Sequence, residues 1–210
     1  NLVFKSDYRV FFSDENPQLT AFESMQRIYS KSDNVAFIIS PPEGKVFTPR
    51  TLGAIQELTT EAWQVPYSTR VDSITNFQHT WSEEDDMIVE DLVLDSTTLT
   101  DADMPRLQEI ALNEPMLLNK LISPQAHITV LNVTVQLPGK NPVVEVPEVV
   151  AKARDMRARF LEKYPDMEVR LSGMVMMNNT FAESSLNDNA TLVPIMFGVV
   201  LLGMIFLLRT

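Results

Sequence analysis

From Leu192 to Leu208 about 17 consecutive residues carry no charge, close to the ~20 that a helix needs to cross the hydrocarbon core of a bilayer. A C-terminal helix buried in a soluble core is the competing reading. Such a helix would show a polar stripe, and this run shows none. Arg209 follows at once, as the positive-inside rule expects of a cytoplasmic end, while Asn187, Asp188 and Asn189 suit the outer side. The run lies at the wrong end of the chain to be a secretory signal.

The residues ahead of that run bound the function classes. The 210-residue chain has a formal net charge of -11, which argues against a nucleic-acid partner. It contains no Cys, so neither a disulfide framework nor thiolate chemistry is on offer, and a bacterial periplasmic setting fits. The chain begins at Asn1 rather than Met, and the expectation is a piece of a longer protein, cut just inside a membrane helix. About 185 residues outside the membrane suffice for one sizeable core or two small ones.

Periodicity gives the order of elements. Asn16-Pro17 reads as a helix start, with Phe22, Met25, Ile28 and Tyr29 on one face and an end near Ser30. "NVAFIIS" (34–40) is apolar on both faces and predicts a central strand. Thr48-Pro49 opens a helix carrying Leu52, Ile55, Leu58 and Ala62, which must end before Pro66. "TRVDSITNF" (69–77) predicts a second strand and "MIVEDLVL" (87–94) a weaker third. A capped helix follows from Asp101, breaks near Asn113 before Pro115, and resumes briefly to about Leu121. "AHITVLNVTVQL" (126–137) is β-branched throughout, with Leu131, Val133, Val135 and Leu137 on one face. Pro147 starts an amphipathic helix with Val149, Ala153, Met156, Phe160 and Tyr164 at helical spacing, and "EVRLSG" (168–173) closes with a strand. From Met177 the pattern turns helical and runs on into the apolar segment. Two strand–helix–strand units around an inserted segment predict an α+β, ferredoxin-like sandwich. The expected divisions are a leading segment with a short helix (1–33), the α+β domain (34–176) and a helix entering the membrane (177–210).

Enzyme signatures are missing. No G-x-S-x-G, P-loop, dinucleotide fingerprint or H-E-x-x-H motif occurs. The only two His, His79 and His127, are far apart in sequence, so a zinc site would have to lean on carboxylates. No metal, no cofactor and no catalytic residue are assigned. Glu83 to Asp103 holds nine acidic residues and no Lys or Arg. A solvated loop and an acidic helix start explain that run; a Ca²⁺ site at "EEDD" is the sharper alternative, without the spacing or Gly turn of an EF-hand. "NFQHTW" (76–81) places Phe77, His79 and Trp81 at a strand end, either as binding groups or as packing over the sheet. "MVMM" (174–177) sets flexible, polarisable Met side chains just before the membrane approach, again either as an adaptable apolar surface or as core filling. The tripeptides starting at Asn132, Asn178 and Asn189 fit the glycosylation pattern, which carries meaning only in a eukaryotic source.

"KSDNVAFIISPPEGKVFTPRTLGAIQELT", "VPYSTRVDSITNFQHT", "VTVQLPG", "EVPEVV" and "FAESSLNDNATLVPIMF" together resemble the first extracytoplasmic domain of exporters of the resistance–nodulation–division (RND) superfamily. Within it they are most similar to the MMPL-type, hydrophobe/amphiphile efflux branch. The resemblance covers nearly the whole chain in order. It implies a proton-driven inner-membrane permease of twelve spans and two large periplasmic loops, with this chain as the first loop and most of the second span. It implies hydrophobic or amphiphilic cargo such as lipids, hopanoids or sterols. Its implied partners are the membrane, the remaining spans and second loop of the same chain, and periplasmic accessory proteins or a homo-oligomer. The proton-carrying acidic residues would lie in later spans. On this reading Met174, Met176, Met177 and Phe181 line an entrance, and Phe77, His79 and Trp81 meet the ligand deeper in the domain. The alternative function is a single-pass, membrane-anchored binding or interaction module; a membrane-attached enzyme is disfavoured by the missing nucleophile constellation.

Overall fold

The computed structural model describes residues 12–13, 15–28, 33–83 and 86–208. In chain order the elements are α1 (Pro17–Ile28), β1 (Asp33–Ser40), α2 (Pro49–Ala62), β2 (Ser68–Asp72), β3 (Gln78–Glu83), β4 (Asp86–Asp91), α3 (Met104–Asn113), β5 (Thr129–Val135), α4 (Pro142–Lys163), β6 (Glu168–Ser172) and α5 (Met174–Leu208). The chain is thus mixed helix and sheet with a long apolar helix at its C-terminal end. It forms two compact units, one of Tyr29–Met176 and the other of Asn1–Ile28 with Met177–Thr210.

In the larger unit β1 is central, as its two apolar faces require. It pairs antiparallel with β5 on one side and β6 on the other, and β2 joins the free edge of β5, giving the order β2-β5-β1-β6. The register sets Phe37 opposite both Leu131 and Leu171. Because side chains alternate along a strand, Val35, Phe37 and Ile39 share one buried face with Leu131, Val133 and Val135. Helices α2 and α4 cover that face. Leu52, Ile55 and Leu58 of α2 and Val149, Ala153, Met156 and Phe160 of α4 join the same core. Their outer edges are laced by charge: Arg159 pairs with Glu61, Lys163 Nζ lies 2.7 Å from Glu57, Tyr164 donates to Glu57 at 3.0 Å, and Arg50 pairs with Asp166. These pairs are largely exposed, so they add little to stability beside the buried core.

Several elements differ from expectation, each for a local reason. β2 stops at Asp72, not Phe77. In "SITN" the side chains compete with the ladder. Thr59, Ser73 and Thr75 bond hydroxyl to hydroxyl in the interior, and Asn76 takes the Ser73 N–H at 2.8 Å and donates to Val71 O at 2.7 Å. The weak strand at 87–94 becomes β4, which pairs only with the unforeseen β3 in a separate hairpin. No helix resumes to Leu121; turns there place Leu117 in the core and bridge Ile122 to Thr129. α4 begins at Pro142, and Pro147 lies inside it. Glu145 reaches back to accept the N–H groups of Gly139, Lys140 and Asn141, at 2.9, 3.0 and 2.8 Å. This cage anchors an earlier start than the second Pro suggests.

The long helix also starts early, at Met174. Gly173 turns the chain with φ +104°, and Asn34 Oδ1 accepts the Met174 N–H at 3.0 Å. Asn34 Nδ2 in turn donates to Asn132 Oδ1 at 2.7 Å, so the first turn of α5 is capped from the sheet. At 1.5 Å per residue α5 is roughly 52 Å long. Among the described residues it is the one helix long and apolar enough to cross a membrane, with a mean hydropathy of 2.6 in its apolar window. In the smaller unit Asn16 caps α1 as expected, its Oδ1 accepting the N–H of Gln18 and Leu19. Phe22, Met25 and Ile28 of the anticipated apolar face are nonetheless exposed, and Leu19 is the buried residue. Tyr29, Ser30 and Arg209 lie outside the described residues.

Candidate functional site

The insertion between β2 and β5 carries the best-defined cleft. β3 and β4 pair in register from Gln78–Asp91 to Glu83–Asp86, which sets His79 across from Glu90 and Trp81 across from Ile88. Alternation along β3 leaves Gln78, Thr80 and Ser82 exposed while His79 and Trp81 are half-buried. The two rings stack, with centroids 5.4 Å apart and planes inclined by 21°. Beyond β4 the chain is stitched to the core. Leu92 N donates to Phe77 O at 2.7 Å and Val93 N to Thr75 O at 3.1 Å. From α2, Gln56 donates to Val93 O at 2.9 Å and accepts the Ser96 N–H at 2.9 Å. This clamp holds the segment that joins the hairpin to α3.

Between the hairpin and α3 lies a cleft of about 250 Å³. Its apolar wall includes Leu92, Leu99, Leu107 and Ile110, and His79 and Trp81 form its aromatic side. Among the described residues its charged lining is four carboxylates, Glu90, Asp91, Asp95 and Asp103, against one guanidinium, Arg106. Asp95 accepts from the Thr97 hydroxyl at 2.6 Å and its N–H at 2.9 Å, which holds its carboxyl below the usual range. Asp103 is held low in the same way by the hydroxyl and N–H of Thr100, with a smaller contribution from Arg106. No ion pair reaches Glu90 or Asp91 among the described residues. A broader, open hollow of about 490 Å³, lined by Phe47, Met104 and Leu112 with acidic neighbours, lies elsewhere along α3. Phe47 is its single aromatic among the described residues, so the smaller cleft, which holds a stacked aromatic pair, is the better site.

The aromatic residues singled out from the sequence separate. His79 and Trp81 come together in the cleft, whereas Phe77 sits at the hairpin base, partly buried against the core. The Met group separates as well. Met176 is buried in the core of the larger unit and Met174 is half-buried there. Met177 and Phe181, in the smaller unit, are 41% and 43% exposed. Of the acidic run, Asp86 is exposed, while Glu84, Asp85 and the side chain of Glu83 lie outside the described residues. Among the described residues no group of three or more His, Cys, Asp or Glu is placed to hold a metal ion. His127 is engaged with the Ser123 hydroxyl at 2.9 Å. Sequence reasoning missed Gln56, Leu107 and Ile110. The last two share the apolar stripe of α3 with Met104 and Ala111, which was the available signal. Compared with known proteins, the sequence matches no protein-family model and no curated protein.

Proposed function

We propose that the chain is a porter-type domain with its attached membrane helix, from a proton-driven exporter of the RND superfamily, MMPL-type branch. On this reading it stands on the periplasmic side of a bacterial inner membrane and handles hydrophobic or amphiphilic molecules such as lipids, hopanoids or sterols. The resemblance of the quoted motifs supports the family. The arrangement of the larger unit carries the reading. Two strand–helix–strand units interleave as β2-β5-β1-β6 with α2 and α4 on one face, which supports reading it as a ferredoxin-like sandwich. One of these units then runs through Gly173 directly into the membrane-length helix. The cleft beside the hairpin offers apolar walls and an aromatic pair, as an amphiphile site needs. No reaction is assigned to the chain.

Topology tests the placement, and the absence of native Cys makes single-Cys labelling clean. Lys120→Cys should react with a membrane-impermeant maleimide in intact spheroplasts, and Thr210→Cys only after permeabilisation. The opposite pattern would reject the orientation. The parent reading frame, followed past Thr210, should give further spans and a second domain of the same strand–helix order. A frame that closes without them would favour the single-pass anchored module instead.

A further inference from the structure

The charge of the cleft says more about its ligand than its apolar walls do. An anionic headgroup would face four carboxylates with only Arg106 to offset them. Asp95 and Asp103 are committed to Thr97 and Thr100, whereas Glu90 and Asp91 have no ion-pair partner among the described residues. Glu90 stands across the hairpin from His79, whose ring stacks on Trp81. His79, Trp81 and Glu90 all line the cleft, and a stacked aromatic pair with an uncommitted carboxylate nearby is a good environment for an organic cation, because the Trp ring quadrupole and the carboxylate attract the same charge. On the other side, Leu107 and Ile110 give an alkyl chain a dry surface. The volume, about 250 Å³, is below the roughly 300–1,000 Å³ of pockets that enclose a whole drug-sized ligand, and suits a headgroup and the first part of a chain. The formal charge of -11 further concentrates cations near the surface.

We propose that this cleft selects cationic amphiphiles, an ammonium head resting against Glu90 and the stacked His79–Trp81 pair and a hydrocarbon chain along Leu107 and Ile110. The inference rests on reading the cleft as an amphiphile site and adds the sign of the ligand's charge. The chain has two Trp, so Trp63→Phe makes Trp81 the sole fluorescent reporter. The full chain in lipid nanodiscs is titrated with decyltrimethylammonium, decyl sulfate and decyl glucoside, each below its micelle concentration. The Trp81 signal should saturate at a decyltrimethylammonium concentration about tenfold below that of the other two, equivalent to ~1.4 kcal/mol. High salt should weaken the response. Glu90→Gln, at an exposed position, should erase most of the preference while thermal unfolding stays unchanged. Equal response to all three probes, or a preference that survives Glu90→Gln, overturns the charge inference and leaves the amphiphile reading standing. A preference for decyl sulfate overturns it in favour of Arg106. No saturable response to any probe removes the cleft as a site, and the inference with it.

Discussion

Replacing Gly173 by Ala tests the link between sheet and membrane helix most sharply. Gly173 holds φ +104°, and a Cβ there would collide with the carbonyl oxygen of Asn34, with Asn34 C at 3.0 Å and Val35 Cα at 3.1 Å. All three are backbone atoms of the central strand, so none can rotate away. Gly139 supplies the control. It also has positive φ, +69°, but nothing lies within 4 Å of its Cβ position. Left-handed backbone costs an L-residue about 1–2 kcal/mol, partly offset by the lower entropy of the unfolded chain. Gly139→Ala should therefore cost about 1 kcal/mol. Gly173→Ala adds a collision with a packed strand, worth roughly 1–3 kcal/mol, for a total of about 2–4 kcal/mol. For a domain of this size each kcal/mol lowers Tm by about 2–4 °C. Thermal unfolding of the full chain, followed by circular dichroism in nanodiscs, should show a drop of about 2–4 °C for Gly139→Ala and roughly 4–16 °C for Gly173→Ala. Equal shifts for the two variants would refute the collision argument and mean that β1 and β6 can separate at little cost.

Three further outcomes follow from the packing and charge. Leu58→Ala, at a site 2% exposed between α2 and the sheet, should cost about 2–5 kcal/mol in urea unfolding. Leu94→Ala, at a residue 67% exposed, should stay within about 0.5 kcal/mol; similar costs for both would contradict the assigned core. Asn76→Ala removes the acceptor of the Ser73 N–H and the donor to Val71 O, and should cost roughly 1–3 kcal/mol with faster hydrogen exchange at Ser73. An unchanged exchange rate there would show that the end of β2 is held by something else. Lys163 lowers the Glu57 carboxyl, chiefly by hydrogen bonding, from its ordinary 4.5, and Arg50 likewise lowers that of Asp166 from 3.8. Carboxyls depressed in the folded state contribute stability fully above their ordinary values and lose it as pH falls through the lower folded ones. Stability should thus decline on acidification below about pH 4.5, and more shallowly in the Glu57→Gln, Asp166→Asn double variant. Parallel pH profiles would show that the α2–α4 charge pairs are not part of the acid response.

Much of the architecture was legible in local pattern because local physics sets it. The continuous apolar run at β1, the β-branched run at β5, the Thr48-Pro49 cap of α2 and the uncharged stretch from Leu192 each state a preference that burial reinforces. The candidate site was legible only in part. "NFQHTW" marked His79 and Trp81, yet the partner wall on α3 lies more than twenty residues away, and nothing local ties Leu107 to Trp81. Where the expectation failed, polar side chains had a choice that sequence spacing does not decide. Ser73, Thr75 and Asn76 could have continued a strand, but an interior position beside Thr59 made hydroxyl bonding to one another the cheaper way to satisfy buried polar groups. Glu145 could have faced water, but three free N–H groups ahead of α4 drew it back and moved the helix start five residues.

The sequence by itself located the bodies of α2 and α4, the strands β1, β5 and β6, and a last helix of membrane length, because hydrophobic periodicity and uninterrupted apolarity act over a few neighbouring residues. Only the tertiary structure decided that β1 lies between β5 and β6, that β3 and β4 leave the sheet to make a hairpin of their own, and that Asn34 and Gly173 tie the start of α5 to the central strand. Those outcomes depend on contacts between residues far apart in the chain, where satisfying a buried donor or avoiding a backbone collision outweighs any local preference.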